Sequence, residues 1–336
     1  MSDRNRRLVL AERPSGMVDG RTTRLEESEV PAPGPGEALA QVRYISIDPT
    51  IRTWMDDAPG YLPPIGIGEV VRAGGVAEVL QSNSDRYSPG DLLFGMTGWQ
   101  DYVIADEGAQ ALQALPVGIS PTAALGVFGI TGMTAYFGLT DVGAVAEGDV
   151  VVISGAAGAT GSTAGQIARI KGASKVIGIA GGPQKCAWIV EELGFDEAID
   201  YKAGDVGARL REAAPGGIDL YFDNVGGPIL DAALSNLALR GRVVLCGAIS
   251  SYNAGRGAAL GPANYSMLII RRGRMEGFII LDYLDRFPQA QGEMAGWLAD
   301  GQIKSAEHIV EGLERAPDAL NLLFTGGNTG KVIVKV

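Results

Sequence analysis

The sequence predicts an α/β protein of two domains, a doubly wound parallel sheet joined to an irregular β-barrel. Three observations predict it. At 336 residues the chain is too long for one domain of about 150 residues and suits two. From about Asp149 onward, apolar runs of strand length alternate with segments of helix length. The first of those strand-to-helix junctions is a glycine-rich turn.

The elements follow in order. Up to about residue 125 the chain is rich in Pro and Gly and in short β-like runs, "EALAQVRYISID", "GEVVRAGGVAEVL" and "DLLFGMTGWQDYVIA". Short strands closed by turn residues suit an irregular barrel. The longest uncharged stretch, Gly108 to Thr140, carries Pro116, Pro121 and several Gly and Thr, so it reads as a buried junction between domains and not as a membrane span. Then "DVVVISG" is a strand and "STAGQIARIKG" a helix, "KVIGIAG" a strand and "PQKCAWIVEELG" a helix. "EAIDY", "IDLYFDNVG" and "GRVVLCG" are further strands, separated by the helices "DVGARLREAA" and "PILDAALSNLA". Such alternation signals βαβ units around a parallel sheet. "SAEHIVEGLE" reads as an amphipathic helix, and the terminal "GNTGKVIVKV" returns to strand character that folds back on the first domain.

Composition narrows the function. Hydrophobic residues make up 46% and charged residues 20%, an ordinary globular balance. The net charge of −11 argues against nucleic acid or an anionic membrane as partner, since both reward basic surfaces. The only cysteines are Cys186 and Cys246, which gives no disulfide framework and suits a reducing cytoplasm. "MSDRNRRLVLAERPSG" lacks the apolar core of a signal peptide. With His308 as the only histidine, a Cys/His zinc site has too few ligands, so no metal is expected.

"VVISGAAGATGSTAGQIA" carries the clearest chemistry. Gly155, Gly158 and Gly161 stand at GxxGxxG spacing between strand and helix. The turn has to be tight, approach a pyrophosphate without side chains, and open a helix whose first amides face the anion. The bland alternative is a turn that only packs helix on strand. About 20 residues on, a NAD-binding chain places Asp or Glu against the adenosine ribose 2′-OH. Here that place holds Ala180, Gly181 and Gly182, then Lys185. A carboxylate there would repel a 2′-phosphate and an ammonium attracts it, so NADP(H) is expected over NAD(H). Alternatively, Lys185 is a solvated helix residue.

These stretches resemble a known family. "SGAAGATGS…GIAGGPQKC…EELGFDEAIDYK" is similar to the zinc-free medium-chain dehydrogenase/reductases, within them the leukotriene B4 12-hydroxydehydrogenase / prostaglandin reductase / alkenal double-bond reductase group. "SIDPTIRTWM", "YLPPIGIGEVV", "GITGMTAYFGL", "YFDNVGG", "CGAISSYN", "RMEGFII" and "GNTGKVIVKV" match in order across most of the chain. The resemblance implies a GroES-like catalytic domain, residues 1–125 with 305–336, and a Rossmann domain, 126–304, with the cofactor and substrate meeting in the cleft between them. It implies that NADPH delivers hydride to the β-carbon of an α,β-unsaturated aldehyde or ketone. It further implies a homodimer joined through Rossmann sheet edges, for which "RRGRMEGFII" offers a strand.

Carried over residue by residue, Gly155, Gly158, Ala159, Thr160, Gly161 and Ser162 lie at the pyrophosphate, and Gly181, Lys185 and Tyr201 at the 2′-phosphate. Asn224 reads the cofactor from a strand end. Cys246, Gly247, Ala248, Ile249, Ser250, Ser251 and Tyr252 run along the nicotinamide half, with Phe278, Ile279, Ile280 and Leu281, and Asn328 reaches in from the tail. Tyr201 as a strand-edge cap and Asn224 and Asn328 as turn residues stay open as alternatives. Tyr252 is the proposed proton-handling residue, donating a hydrogen bond to the developing enolate; the alternative is that it only lines the pocket. Thr50 stands where the group usually has tyrosine, so no prostaglandin or leukotriene substrate is carried over. Thr50, Arg52, Tyr61 and Met133 are the candidate pocket residues, and Tyr265 and Tyr283 are also within reach of the cleft. A zinc-free quinone oxidoreductase is the rival activity, and a non-catalytic NADPH-binding protein the rival class.

Overall fold

The structure, a computed structural model, describes residues 4–108, 112–116, 118–254 and 261–336. Residues 109–111 and 117 of the uncharged stretch lie outside the described residues. Two compact units divide the chain, Met1–Leu125 with Glu307–Val336 and Gly126–Ala306.

In the second unit the alternating runs fold into a six-stranded sheet. Across it the strands stand in the order Glu197–Asp200, Lys175–Ala180, Val150–Ser154, Ile218–Asp223, Leu237–Leu245, Arg274–Gly277. All neighbours are parallel. Numbered along the chain this is the order 3-2-1-4-5-6 of a Rossmann sheet. Strands buried on both faces need apolar side chains throughout. Val151, Val152 and Ile153 on the first strand and Leu220, Tyr221 and Phe222 on the fourth are accordingly fully buried. The helices Ala159–Ile170, Pro183–Glu191, Val206–Ala213 and Gly227–Ser235 make the crossovers. The first is small-sided where it meets the turn before the strand Glu197–Asp200: a Cβ on Gly165 would lie 1.9 Å from the Phe195 ring. The fifth strand starts earlier than "GRVVLCG" suggests, at Leu237, and crosses a register shift opposite Ile218 and Leu220. Arg240 adopts φ 65° beside that irregularity, which lets the strand resume pairing at Arg242.

In the first unit a seven-stranded, mainly antiparallel sheet forms the irregular GroES-like barrel. "DLLFGMTGWQDYVIA" resolves into two strands, Leu92–Met96 and Tyr102–Ala105, because Gly98 at φ 70° turns the chain between them. Ala38–Ser46 is central and pairs with Gly74–Ser82, Tyr102–Ala105 and the terminal strand Lys331–Lys335. Its core includes Val42, Ile45, Ile47, Ile51, Trp99, Leu320 and Val334. Thus the last residues complete the unit begun by the first. Lys331, 2% exposed, locks that closure by donating from Nζ to Ile47 O at 3.0 Å and Asp48 Oδ1 at 2.6 Å.

One element differs from the sequence expectation. "SAEHIVEGLE" is not a helix: Glu307–Glu311 is a strand pairing in parallel with Lys331–Lys335. Glu307 and Glu311, four residues apart, share one face of a strand as well as of a helix, and β-branched Ile309 and Val310 suit the pleat. Gly312 at φ 96° ends it. His308 therefore lies on an edge strand of the first unit.

Candidate cofactor and active site

From the first and fourth strands, which are parallel neighbours, the strand order proceeds in opposite directions across the sheet, and their carboxyl ends form the switch point where such sheets bind ligands. Gly155 leaves the first strand at φ 60°. A Cβ on Gly161 would lie 2.3 Å from Gly155 O, so only glycine lets the helix start press against the turn. Gly158 caps the helix, and Ala159, Thr160 and Gly161 occupy its first turn, where backbone N–H groups have no helical acceptor. Ser162 Oγ donates back to Ala159 O at 3.2 Å and Ser162 N to Gly158 O at 2.9 Å, so the free amides of the turn are those before Ser162. The cradle fits the pyrophosphate of a dinucleotide: it has amides, a helix N-terminus and no side chain in the way.

Sequence reasoning missed the polar knot beneath this turn. Ser154 and Asp223 are fully buried. Asp223 Oδ1 accepts from Ser154 Oγ and Tyr221 OH at 2.9 Å each, and from Val225 N at 3.1 Å and Gly226 N at 3.0 Å. Ser154 Oγ accepts from Asn224 N at 2.9 Å, and Asn224 Nδ2 donates to Ser154 O at 2.7 Å. Burial pushes the Asp223 carboxyl up from its usual range, opposed by those donors. Burial, then the nearby Asp223 charge, raise the Tyr221 phenol well above its ordinary value. The knot ties the two strand ends together and sets the Asn224–Gly227 turn. A polar residue ending each of two apolar runs was the available signal.

At the end of the second strand, Gly181 lies under the Tyr201 ring, to which a Cβ at 181 would come within 2.8 Å. Lys185 sits in the first turns of the helix Pro183–Glu191. Burial, then repulsion from Lys202, lower the Lys185 pKa. Gly181, Lys185 and Tyr201 are thus gathered at one corner, and Lys202 joins them.

At the end of the fifth strand, Cys246 N and Gly247 N both donate to Asp223 O, at 2.9 and 3.0 Å. Ser250 Oγ donates to Val225 O at 2.7 Å, and Ser251 Oγ to Ala248 O at 2.8 Å. The Cys246–Tyr252 segment is therefore stitched to the Asn224 turn. Tyr252 OH accepts from Ala248 N at 3.1 Å, and a Cβ on Gly247 would come within 3.1 Å of that hydroxyl. Glycine at 247 leaves the phenol its place. Burial pushes the Cys246 thiol up to about 12, which keeps it protonated and unreactive. Phe278 packs edge-on to Tyr283, whose ring stacks on Phe137 at 4.7 Å. Ile279, Ile280 and Leu281 follow it, Leu281 exposed.

The four pocket candidates are not brought together alike. Thr50 opens the short helix Thr50–Trp54, and Tyr61 meets Trp54 edge-on at 6.3 Å. Desolvation raises the Tyr61 phenol above its usual value, opposed by hydrogen bonding with Thr50. Beside them lies a pocket of about 150 Å³ lined by Thr53, Trp54, Pro59, Tyr61 and Leu62, among others. Arg52 turns away from it. At 2% exposure, Arg52 donates to Gly16 O at 2.6 Å, Asp56 Oδ1 at 2.7 Å and Pro14 O at 3.1 Å, so it holds the fold together instead of facing a substrate. Met133 is fully buried within the second unit. Asn328, 7% exposed, donates from Nδ2 to Gly330 O at 3.1 Å, a local turn bond. Tyr265 stands 64% exposed on the surface.

Among the described residues no group of three His, Cys, Asp or Glu side chains is placed to share a metal ion. Nor is any helix among them long and apolar enough to cross a membrane.

A Rossmann sheet with this turn and a GroES-like barrel in one chain define a medium-chain dehydrogenase/reductase. Residues 6–114 match the family described as the N-terminal domain of oxidoreductase, and residues 159–296 that described as zinc-binding dehydrogenase. The chain belongs to the medium-chain dehydrogenase/reductases, in their zinc-free group of NADP-dependent oxidoreductases. It is 42% identical to the NADPH-dependent curcumin reductase of Escherichia coli, over 99% of this chain and 97% of the relative. It is 38% identical to the NADP(+)-dependent 2-alkenal reductase of Nicotiana tabacum, over 90% of this chain and 88% of the relative. The crystal structure of CurA from Vibrio vulnificus in complex with NADPH superposes with a TM-score of 0.92 at 44% identity, covering 98% of this chain and 99% of that one.

Proposed function

We propose that this protein uses NADPH to reduce the carbon–carbon double bond of α,β-unsaturated aldehydes or ketones. NADPH, when bound, supplies the hydride that adds to the β-carbon. The residues of this chain do the rest. The Gly155–Ser162 turn holds the pyrophosphate by its amides, and Gly181, Lys185 and Tyr201 receive the 2′-phosphate. Asn224 and the segments Cys246–Tyr252 and Phe278–Leu281 orient the nicotinamide half. As hydride arrives, the π electrons move onto the carbonyl oxygen, and Tyr252 OH donates to that oxygen, stabilising the enolate before the α-carbon takes its proton. Thr50 and Tyr61 contact the substrate.

The placement of Tyr252 carries this reading. Its hydroxyl is fixed on Ala248 N–H at the carboxyl end of a sheet strand, next to a glycine and stitched to the Asn224 turn. The names of the relatives, a curcumin reductase and an alkenal reductase, support the same reaction. The protein works as a homodimer in the cytoplasm. The strand Arg274–Gly277, which pairs on one side only within the sheet order, supports the dimer.

A panel of enals, enones and quinones, with NADPH oxidation as readout, tests the function. Turnover is expected on enals and enones above quinones. Tyr252→Phe should lower enone turnover about a hundredfold while leaving the NADPH Kd in place. Quinone-only turnover would reassign the reaction, and no consumption with any acceptor would leave a binding protein. A Tyr252→Phe rate within about twofold of the parent removes the donor role.

A further inference from the structure

Two residues beyond the strand Glu197–Asp200 stands a lysine, Lys202, that the phosphate assignment above does not use. Asp200 pairs with Ala180, so the residues after each strand emerge side by side. Lys202 is exposed, and its ammonium lies 5.9 Å from the centre of the Tyr201 ring, within cation–π range. That same ring covers Gly181. Lys185 stands close enough for the Lys202 charge to act on it.

Charge and donor counts then favour a role for Lys202. Asp200 Oδ1 accepts from Gly182 N and Lys202 N, both at 2.9 Å, and these bonds hold its carboxyl below the usual range. Asp200 is therefore ionised and offsets one ammonium. Lys185 alone would leave this corner without net charge against a phosphate that carries between one and two negative charges. Two of the backbone positions here add no donor, because Gly182 N–H is committed to Asp200 and Pro183 has no N–H. A second side-chain cation would restore the charge balance, and Lys202 stands at this corner.

We propose that Lys202 is a second ammonium of the 2′-phosphate site, standing on the Tyr201 ring, and so a determinant of nucleotide specificity. This rests on the NADPH reading above. Calorimetric titration of the purified protein with NADPH, NADH, adenosine 2′,5′-bisphosphate and AMP tests it without turnover. Lys202→Ala should weaken NADPH and the bisphosphate about fivefold to tenfold, leave NADH and AMP within about twofold, and lose most of that difference in high salt. Lys202→Arg should restore binding. If Lys185→Ala weakens the phosphorylated ligands and Lys202→Ala does not, the inference fails and the NADPH reading stands. Equal weakening of all four ligands by Lys202→Ala also overturns it, since that marks a structural residue. If the parent protein binds NADH as tightly as NADPH, the NADPH reading itself fails.

Discussion

Gly181 shows how much one missing side chain decides. Its neighbour Tyr201 comes from a different strand, and a Cβ at 181 would lie 2.8 Å from that ring. Exclusion of an acid there is therefore steric as well as electrostatic. Gly181→Asp alone is expected to weaken NADPH more than tenfold, through a carboxylate set against the phosphate, without improving NADH. Adding Tyr201→Ala should then let the carboxylate reach a ribose hydroxyl and strengthen NADH. Nucleotide Kd values for the two variants check this; a single variant that already prefers NADH refutes the steric part. Lys185 was legible as a candidate because its spacing from the glycine turn is a local, one-dimensional fact. Lys202 was not, because only the pairing of Asp200 with Ala180 brings it beside Lys185.

Strands and turns were readable where their periodicity was unambiguous. The Rossmann runs are apolar, short and separated by helices, and the fold follows them. "SAEHIVEGLE" misled because Glu307 and Glu311, four residues apart, share a face of a helix and of a strand alike, and pairing with Lys331–Lys335 decided between them. The knot at Asp223 governs two turns at once. Asp223→Ala would leave Val225 N–H, Gly226 N–H, Tyr221 OH and Ser154 OH without their acceptor. Each buried, unpartnered group costs about 1–3 kcal/mol, so a total loss of roughly 3 kcal/mol or more is expected in urea unfolding. Nicotinamide-side function should fall with it, since Val225 N–H and Gly226 N–H lose the side-chain acceptor that sets the turn to which Ser250 is bonded. A loss under about 1 kcal/mol would show that the knot is not a keystone.

For the whole molecule, the surface of the second unit makes a further demand. Arg274–Gly277 ends the sheet, and the nearby helix Met267–Arg271 exposes Ile269 at 76% and Ile270 at 61%. Apolar side chains beside an open edge suit the proposed dimer. Light scattering should give twice the chain mass for the parent, and Ile269→Glu with Ile270→Glu should bring it to the single-chain mass with the fold intact by circular dichroism. A monomeric parent sinks the dimer.

The sequence by itself determined the class of fold, the phosphate-binding turn and the preference for a phosphorylated nucleotide, because each depends on residues close together along the chain. Only the tertiary structure decided that Arg52 faces inward, that His308 lies on a strand, that Ser154 and Asp223 form one knot, and that Lys202 joins Lys185. Those outcomes depend on which segments come to lie side by side, and spacing along a chain does not encode that proximity until the sheets have closed.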